Sequence, residues 1–162
     1  MTAHAHRADR DGIPNHTLDG LNHYRALHGV PDLVWNNTMA LYASSVSNTC
    51  DYPSGVSPYK QHFLMGTNTT VEAIEKWYST GSFYDYSIDP STSTYFGNLA
   101  PAFTQLIWKS ATQVGCAAVD CTLDEDHVLP GVYLTCEYDI GNELGEFEAN
   151  VLPPIFYANE SA

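Results

Sequence analysis

Basic side chains are scarce in this chain: Lys and Arg together number 6 against 19 Asp and Glu, for a formal charge of −13. A surface of that sign repels phosphate backbones and anionic headgroups, so nucleic acid and acidic membranes are poor candidates as partners. Long apolar runs are missing as well, and none approaches the roughly 20 residues that a membrane-spanning helix needs. There is no G-x-S-x-G elbow, which removes one common hydrolase arrangement. The opening Met1-Thr2-Ala3-His4-Ala5-His6 has no apolar signal-peptide core and reads as the start of a mature fragment with an added Met. Neither an internal repeat nor a second domain is visible.

What is present suits one globular domain. A chain of 162 residues with 44% hydrophobic content buries about two-thirds of its unfolded surface. The cysteines are four, at positions 50, 116, 121 and 136. An even count without tight metal spacing favours two disulfides over a zinc site, and hence an oxidising compartment. Sequons at Asn15, Asn36, Asn68 and Asn159 point the same way. The chain divides into a flexible N-terminal segment at 1–12, a folded domain at 13–154 and a C-terminal tail at 155–162.

Within the domain, Pro14 opens a helix carrying Leu18, Leu21, Arg25 and His28 at helical spacing, and Gly29 ends it. Asn36 or Asn37 caps a second helix with Met39, Leu41, Ala43 and Val46. The segment from Cys50 to Gly66 is rich in Pro, Gly and Ser and reads as loop. Thr69-x-x-Glu72 is a capping box opening a third helix with Val71, Ile74, Trp77 and Tyr78. Ser79 to Asn98 is an aromatic loop of unusual length, a mark of function. A fourth helix is predicted over Pro101 to Lys109. Two strand-like runs, Gln113 to Asp120 and Gly131 to Asp139, predict an antiparallel hairpin whose tip is the solvated turn Leu123-Asp124-Glu125-Asp126-His127. Phe63-Leu64-Met65 reads as core packing in preference to the lining of a ligand groove.

The run Pro101-Ala102-Phe103-Thr104-Gln105-Leu106-Ile107-Trp108, followed by Val114-Gly115-Cys116, resembles the G-H-F-T-Q-hydrophobic-hydrophobic-W and V-G-C motifs of the CAP superfamily. That superfamily comprises cysteine-rich secretory proteins, antigen 5 and pathogenesis-related class 1 proteins. Four further pieces agree in order and spacing: Asn22-His23-Tyr24-Arg25-Ala26-Leu27-His28-Gly29-Val30, Leu33-Val34-Trp35, Ala73-Ile74-Glu75-Lys76-Trp77-Tyr78, and Gly141-Asn142-Glu143-Leu144-Gly145-Glu146-Phe147 with Asn150-Val151. The likeness is strongest to fungal secreted members of the pathogenesis-related class 1 type and covers about Pro14 to Pro153. It implies an α+β fold, a three-layer α-β-α sandwich, and a secreted, extracellular protein. It also implies the pairs Cys116–Cys136 and Cys50–Cys121. The first pair falls on the two strands of the predicted hairpin, where a cross-link is within reach.

Members of this family share a cleft with two His and two Glu that hold a divalent ion. Aligned on this chain, those positions are Pro53 or Ser54, Gln61, Thr80 and Ala102. Ala and Pro cannot donate to a metal, and neutral Gln, Ser and Thr are poor ligands beside carboxylate or imidazole. The expectation is a degenerate metal cleft, no cofactor and no catalysis, since the general acid–base groups are gone. His62, alone nearby, reads as an ordinary surface or hydrogen-bonded histidine rather than a replacement ligand. Fungal relatives bind sterols through the loop after the third helix and fatty acids in a groove between helices. Here that loop holds Phe83, Tyr84, Tyr86, Pro90, Tyr95 and Phe96, whose rings suit a flat apolar ligand or the packing of the loop itself. Thr92 stands where the family places an aromatic, which implies impaired sterol binding. The alternative is an effector that contacts a host or cell-wall protein and binds neither lipid nor metal.

Overall fold

The computed structural model describes residues 13–88, 90 and 99–155. Among the described residues the elements run α1 (Ile13–Leu27), β1 (Val34–Trp35), α2 (Asn37–Ser47), β2 (Lys60–Thr67), α3 (Thr70–Ser79), α4 (Pro101–Leu106), β3 (Gln113–Asp120), β4 (Val132–Tyr138) and α5 (Phe147–Asn150). The strands form one sheet in the order β1-β3-β4-β2. β1 is parallel to β3, and the other two pairings are antiparallel.

The hairpin of β3 and β4 forms as its alternation demands. Val114, Cys116 and Ala118 share a face with Leu134, Cys136 and Tyr138, and that face packs against Leu21, Ile74, Trp77, Phe103 and Phe147 of the helices. The opposite face carries Val119, Tyr133 and Thr135 toward α2, where Ser47 Oγ donates to Thr135 Oγ1 (2.8 Å) and to the Ala117 carbonyl (3.1 Å). The result is three layers: α1, α3, α4 and α5, then the sheet, then α2.

Local chemistry sets the element ends. Asn36 caps α2 by accepting from the Met39 amide (3.0 Å), while its amide group donates to Gln113 of β3 (2.6 Å). Thr69 caps α3 by accepting from the Glu72 amide (3.1 Å), and Glu72 reaches back one residue past the cap to accept from the Asn68 amide (2.8 Å), a variant of the capping box. Arg25 is fully buried, and among the described residues it forms no salt bridge. Its guanidinium donates instead to the carbonyls of Pro31, Leu106, Trp108 and Ala111, at 2.8 to 3.2 Å, and so fastens α1 to the connection after α4. Burial draws its pKa down to about 10.

Three features differ from the sequence reading. Residues 60–67 are not loop but an edge strand on β4, with Gly66 at φ 87° where the register shifts. The Pro, Gly and Ser content that reads as loop lies before residue 60; within the strand, polar and apolar side chains are mixed, so no period of two stands out. Phe63-Leu64-Met65 is accordingly split: Leu64 packs on the main core, Met65 on the α2 side, and Phe63 is 38% exposed. The fourth helix ends at Leu106 rather than Lys109. The predicted segment at 1–12, most of the tail at 155–162, and Thr92, Tyr95 and Phe96 lie outside the described residues.

Candidate functional site

The last turn of α3 builds one wall of a cavity of about 460 Å³. Trp77 points into the core, and Tyr78, one residue on, reaches the cavity. Tyr78 is held on three sides. Its ring stacks on Tyr24 of α1 (centroids 4.2 Å, planes 21° apart), meets Phe103 of α4 at 5.5 Å, and its hydroxyl bonds His28 Nε2 at 2.9 Å. His28 Nδ1 lies 2.6 Å from the Leu152 carbonyl, which only accepts, so Nδ1 carries the proton and Nε2 accepts from Tyr78. Burial lowers the His28 pKa against the opposing Leu152 contact and keeps this tautomer neutral.

Beyond Tyr78 the chain turns at Thr80, whose hydroxyl donates to the Trp77 carbonyl (2.7 Å). Gly81 follows, and an added Cβ there would sit 2.2 Å from Phe103 Cγ. Only glycine lets the Phe103 ring seat flat against this backbone. Tyr84 and Tyr86 then fold back, edge to face at 4.9 Å, with Tyr84 5.8 Å from Phe103. Pro153 and Pro154 close the far wall. Asp85 accepts from the Ser87 amide (2.9 Å) and hydroxyl (2.6 Å), bonds that hold its carboxyl below the ordinary range and fix the turn between the two tyrosines. Of the aromatic loop, Tyr84 and Tyr86 therefore line the cavity, Pro90 is buried, and Phe83 is 99% exposed.

The four aligned metal positions do not share a cleft. Gln61 and His62 point to opposite faces of β2, as neighbours on a strand must. Gln61 lies on the α2 side and donates to Glu137, its cross-strand partner, which also accepts from Ser57 Oγ (2.8 Å). Ser54 lines a groove beside α2. Thr80 and Ala102 belong to the other helical layer. The residues present do not fit a divalent ion: they are neutral, and the sheet divides them. Among the described residues no group of three or more His, Cys, Asp or Glu converges as a metal site.

Two titratable groups flank that boundary, and His62 is half-buried. Glu137 is fully buried, and desolvation raises its carboxyl pKa against the hydrogen bonds from Gln61 and Ser57. Desolvation pushes His62 down to about 4, with its ring edge-on to Tyr138 at 6.4 Å. The disulfides are Cys50–Cys121 and Cys116–Cys136, and among the described residues no cysteine is free.

The sequence reading did not name Tyr78, Gly81, Phe103, Pro153 and Pro154 as one site. They are scattered over three segments and meet only in the fold. The Trp-Tyr pair ending α3 is the one local signal: at helical spacing one ring goes to the core and the next to its margin.

The family model described as CAP, the cysteine-rich secretory protein family, matches residues 18–138. Among curated relatives, a probable pathogenesis-related protein of Candida albicans, CaO19.6200, is 34% identical over 143 residues, covering 85% of this chain and 41% of the relative. Protein PRY2 of Saccharomyces cerevisiae is 34% identical over 138 residues, 82% of this chain and 39% of the relative. Pathogenesis-related protein PR-1 of Medicago truncatula is 31% identical over 140 residues, 82% of this chain and 76% of the relative. The chain thus spans about two fifths of the length of the two fungal relatives. Among solved structures, Schistosoma mansoni venom allergen-like protein 4 superposes with TM-score 0.63 at 16% identity, over 88% of this chain and 96% of that one. MpPR-1i gives 0.59 at 19% identity, over 88% and 97%. At these identities the superpositions establish the fold, the α-β-α sandwich, alone.

Proposed function

This chain belongs to the CAP family of cysteine-rich secretory proteins, and from that premise we propose that it is an extracellular, non-enzymatic member that binds a small apolar ligand in the aromatic cavity at the end of α3. The observation that carries this reading is the cavity itself. Its volume, about 460 Å³, falls in the range of about 300–1,000 Å³ typical of small-molecule sites. Tyr78, Tyr84, Tyr86 and Phe103 give it flat apolar walls, fixed by ring–ring contacts before any ligand arrives.

The shape favours a rigid ring system over a fatty acyl chain. α1 and α3 approach closely at Gly20, where an added Cβ would lie 3.2 Å from Ile74 Cδ1, and the Tyr24–Tyr78 stack fills the gap one turn further on. Among the described residues α1 and α3 are thus closed against each other at these two turns, and the cavity lies beyond the end of α3. A sterol-class ligand suits it, with Phe83, Pro90, Thr92, Tyr95 and Phe96 as further loop candidates. The non-enzymatic reading rests on Ala102, Thr80, Gln61 and Ser54 at the positions where the family carries its acid–base groups. An extracellular site of action is supported by relatives named as secreted proteins, RBT4 and PRY1 of Candida albicans, and by the two disulfides.

The test is a binding comparison with labelled cholesterol and labelled palmitate on the parent, Thr92→Phe, Tyr84→Ala and Tyr86→Ala. Cholesterol is expected to bind the parent, though more weakly than it binds Thr92→Phe, which restores the ring the family places there, and Tyr84→Ala and Tyr86→Ala are each expected to weaken it about tenfold further through one lost ring contact. If neither probe binds, or if both alanine variants bind like the parent, the cavity is not the site. The alternative, an interaction protein without lipid affinity, then stands.

A further inference from the structure

A second cavity, of about 240 Å³, lies on the opposite side of the sheet between the outer face of α2 and the loop that follows Cys50. Tyr42, Ser45 and Thr49 form one wall; Asp51, Tyr52 and Ser54 form the other. The family alignment gives this groove no function beyond the lost ligand position at Ser54.

The groove is rigid. The Cys50–Cys121 disulfide, between the lining residues Thr49 and Asp51 in sequence, ties this stretch to the end of β3. Thr49 Oγ1 donates to the Val46 carbonyl (2.7 Å) and accepts from the Asp51 amide (3.2 Å), and Asp51 Oδ1 accepts from the Tyr52 amide (2.7 Å). Both tyrosine rings are set by edge contacts with neighbouring rings, Tyr52 on Phe63 at 6.4 Å and Tyr42 on Tyr59 at 5.7 Å. Tyr52 nonetheless stays 59% exposed.

The chemistry of the walls is mixed in a specific way. Two tyrosine rings offer apolar surface. Hydroxyls of Tyr42, Tyr52, Ser45 and Ser54, with the carboxylate of Asp51, offer polar atoms between them. No Lys, Arg or His lines the groove. A lipid would strand those polar groups without partners. An anion would meet Asp51 and a chain of charge −13. A ligand with apolar C–H faces and many uncharged hydroxyl donors satisfies both walls at once: rings take the faces, and Asp51 accepts the hydroxyls. We propose that this groove binds an uncharged saccharide, with a sugar ring against Tyr52 and hydroxyls donating to Asp51.

The experiment is an amide NMR titration of the full chain with laminarihexaose, chitohexaose and mannohexaose, and with hexagalacturonate as the anionic comparison. At least one neutral hexasaccharide is expected to shift the amides of residues 42–54 to saturation, and hexagalacturonate to leave them in place. Tyr52→Ala should weaken that binding roughly tenfold, Tyr52→Phe should retain it, and Asp51→Asn should weaken it by less. Near-UV circular dichroism keeps loss of binding distinct from loss of fold; both positions are exposed. Tyr84→Ala, in the other cavity, should leave sugar binding unchanged, so this site and the apolar one stand or fall separately. The proposal is overturned if no neutral hexasaccharide shifts these amides, if the shifts lie elsewhere, if the anionic sugar binds as well, or if Tyr52→Ala binds like the parent.

Discussion

A proton on His62 and a proton on Glu137 act in opposite directions, although the two residues lie on adjacent strands. His62 is depressed by burial from 6.5 to about 4. Between those values the unfolded chain binds a proton that the folded chain refuses, so stability falls as pH drops from 6.5 toward 4. Glu137 is raised, and desolvation is the larger cause. Above 4.5 the unfolded chain releases a proton that the folded chain still holds, so stability falls as pH rises out of the ordinary carboxylate range. The slopes oppose each other and flatten the profile of the parent. His62→Leu should remove the acid loss, roughly 3 kcal/mol at most, and leave a profile that declines with rising pH. Glu137→Gln keeps the shape and removes the charge; it should raise stability at pH 7 and steepen the fall on the acid side. Urea midpoints taken from pH 4 to 8 decide this, and identical profiles for both variants and parent would remove the argument. Neither role was legible in the sequence. A lone histidine in a polar run and a glutamate beside a cysteine acquire their environments only when β2 pairs with β4.

At the scale of elements, what could be read followed from strong local signals, and what could not lacked them. The β3–β4 hairpin and α3 were legible because a period of two and a capping box each act over a few residues. α5 has four residues, too few to show a period, yet Phe147 meets Trp108 at 5.1 Å and Asn150 accepts from Ser110 Oγ at 2.5 Å. The aligned metal cleft was legible as a set of substitutions but not as a place, because alternation along β2 sends Gln61 to one side and His62 to the other. The packing of α2 on β3 turns on Gly115. An added Cβ there would lie 2.2 Å from the Ala40 amide nitrogen and 2.5 Å from the Asn36 carbonyl oxygen, both backbone. No rotamer relieves that contact, so Gly115→Ala must lift the first turn of α2 off the sheet. The expected loss is about 2–4 kcal/mol, well beyond the roughly 1 kcal/mol for removing the cap with Asn36→Ala. A urea midpoint for Gly115→Ala close to that of the parent would mean that α2 is not seated as described.

For the whole molecule, charge works against compactness and cross-links work for it. The described residues contain two salt bridges, Lys60–Glu143 and Lys76–Glu72, both at the surface, and such pairs contribute little. The disulfides matter more, and they differ in the loops they close. Cys50–Cys121 spans a separation of 71 residues and joins the α2 side to the end of β3; Cys116–Cys136 spans 20 and joins neighbouring strands. Chain entropy assigns roughly 4 kcal/mol to the longer loop and roughly 3 kcal/mol to the shorter. The shorter also constrains strands that a hairpin already brings together, so its effect on the unfolded chain is smaller still. All four sulfurs belong to buried residues, those of Cys116 and Cys136 in the main core and those of Cys50 and Cys121 in the smaller cluster beside α2, so the comparison sets the loop term against the packing of each bridge. Cys50→Ala with Cys121→Ala should therefore lower the urea midpoint more than Cys116→Ala with Cys136→Ala. It should also free the loop at 51–59, which limited proteolysis reads directly as a new cleavage before β2. The reverse order of midpoints would show that packing of the Cys116–Cys136 bridge in the main core outweighs chain entropy, and that the hairpin rather than the α2 layer is the part of this fold most dependent on its cross-link.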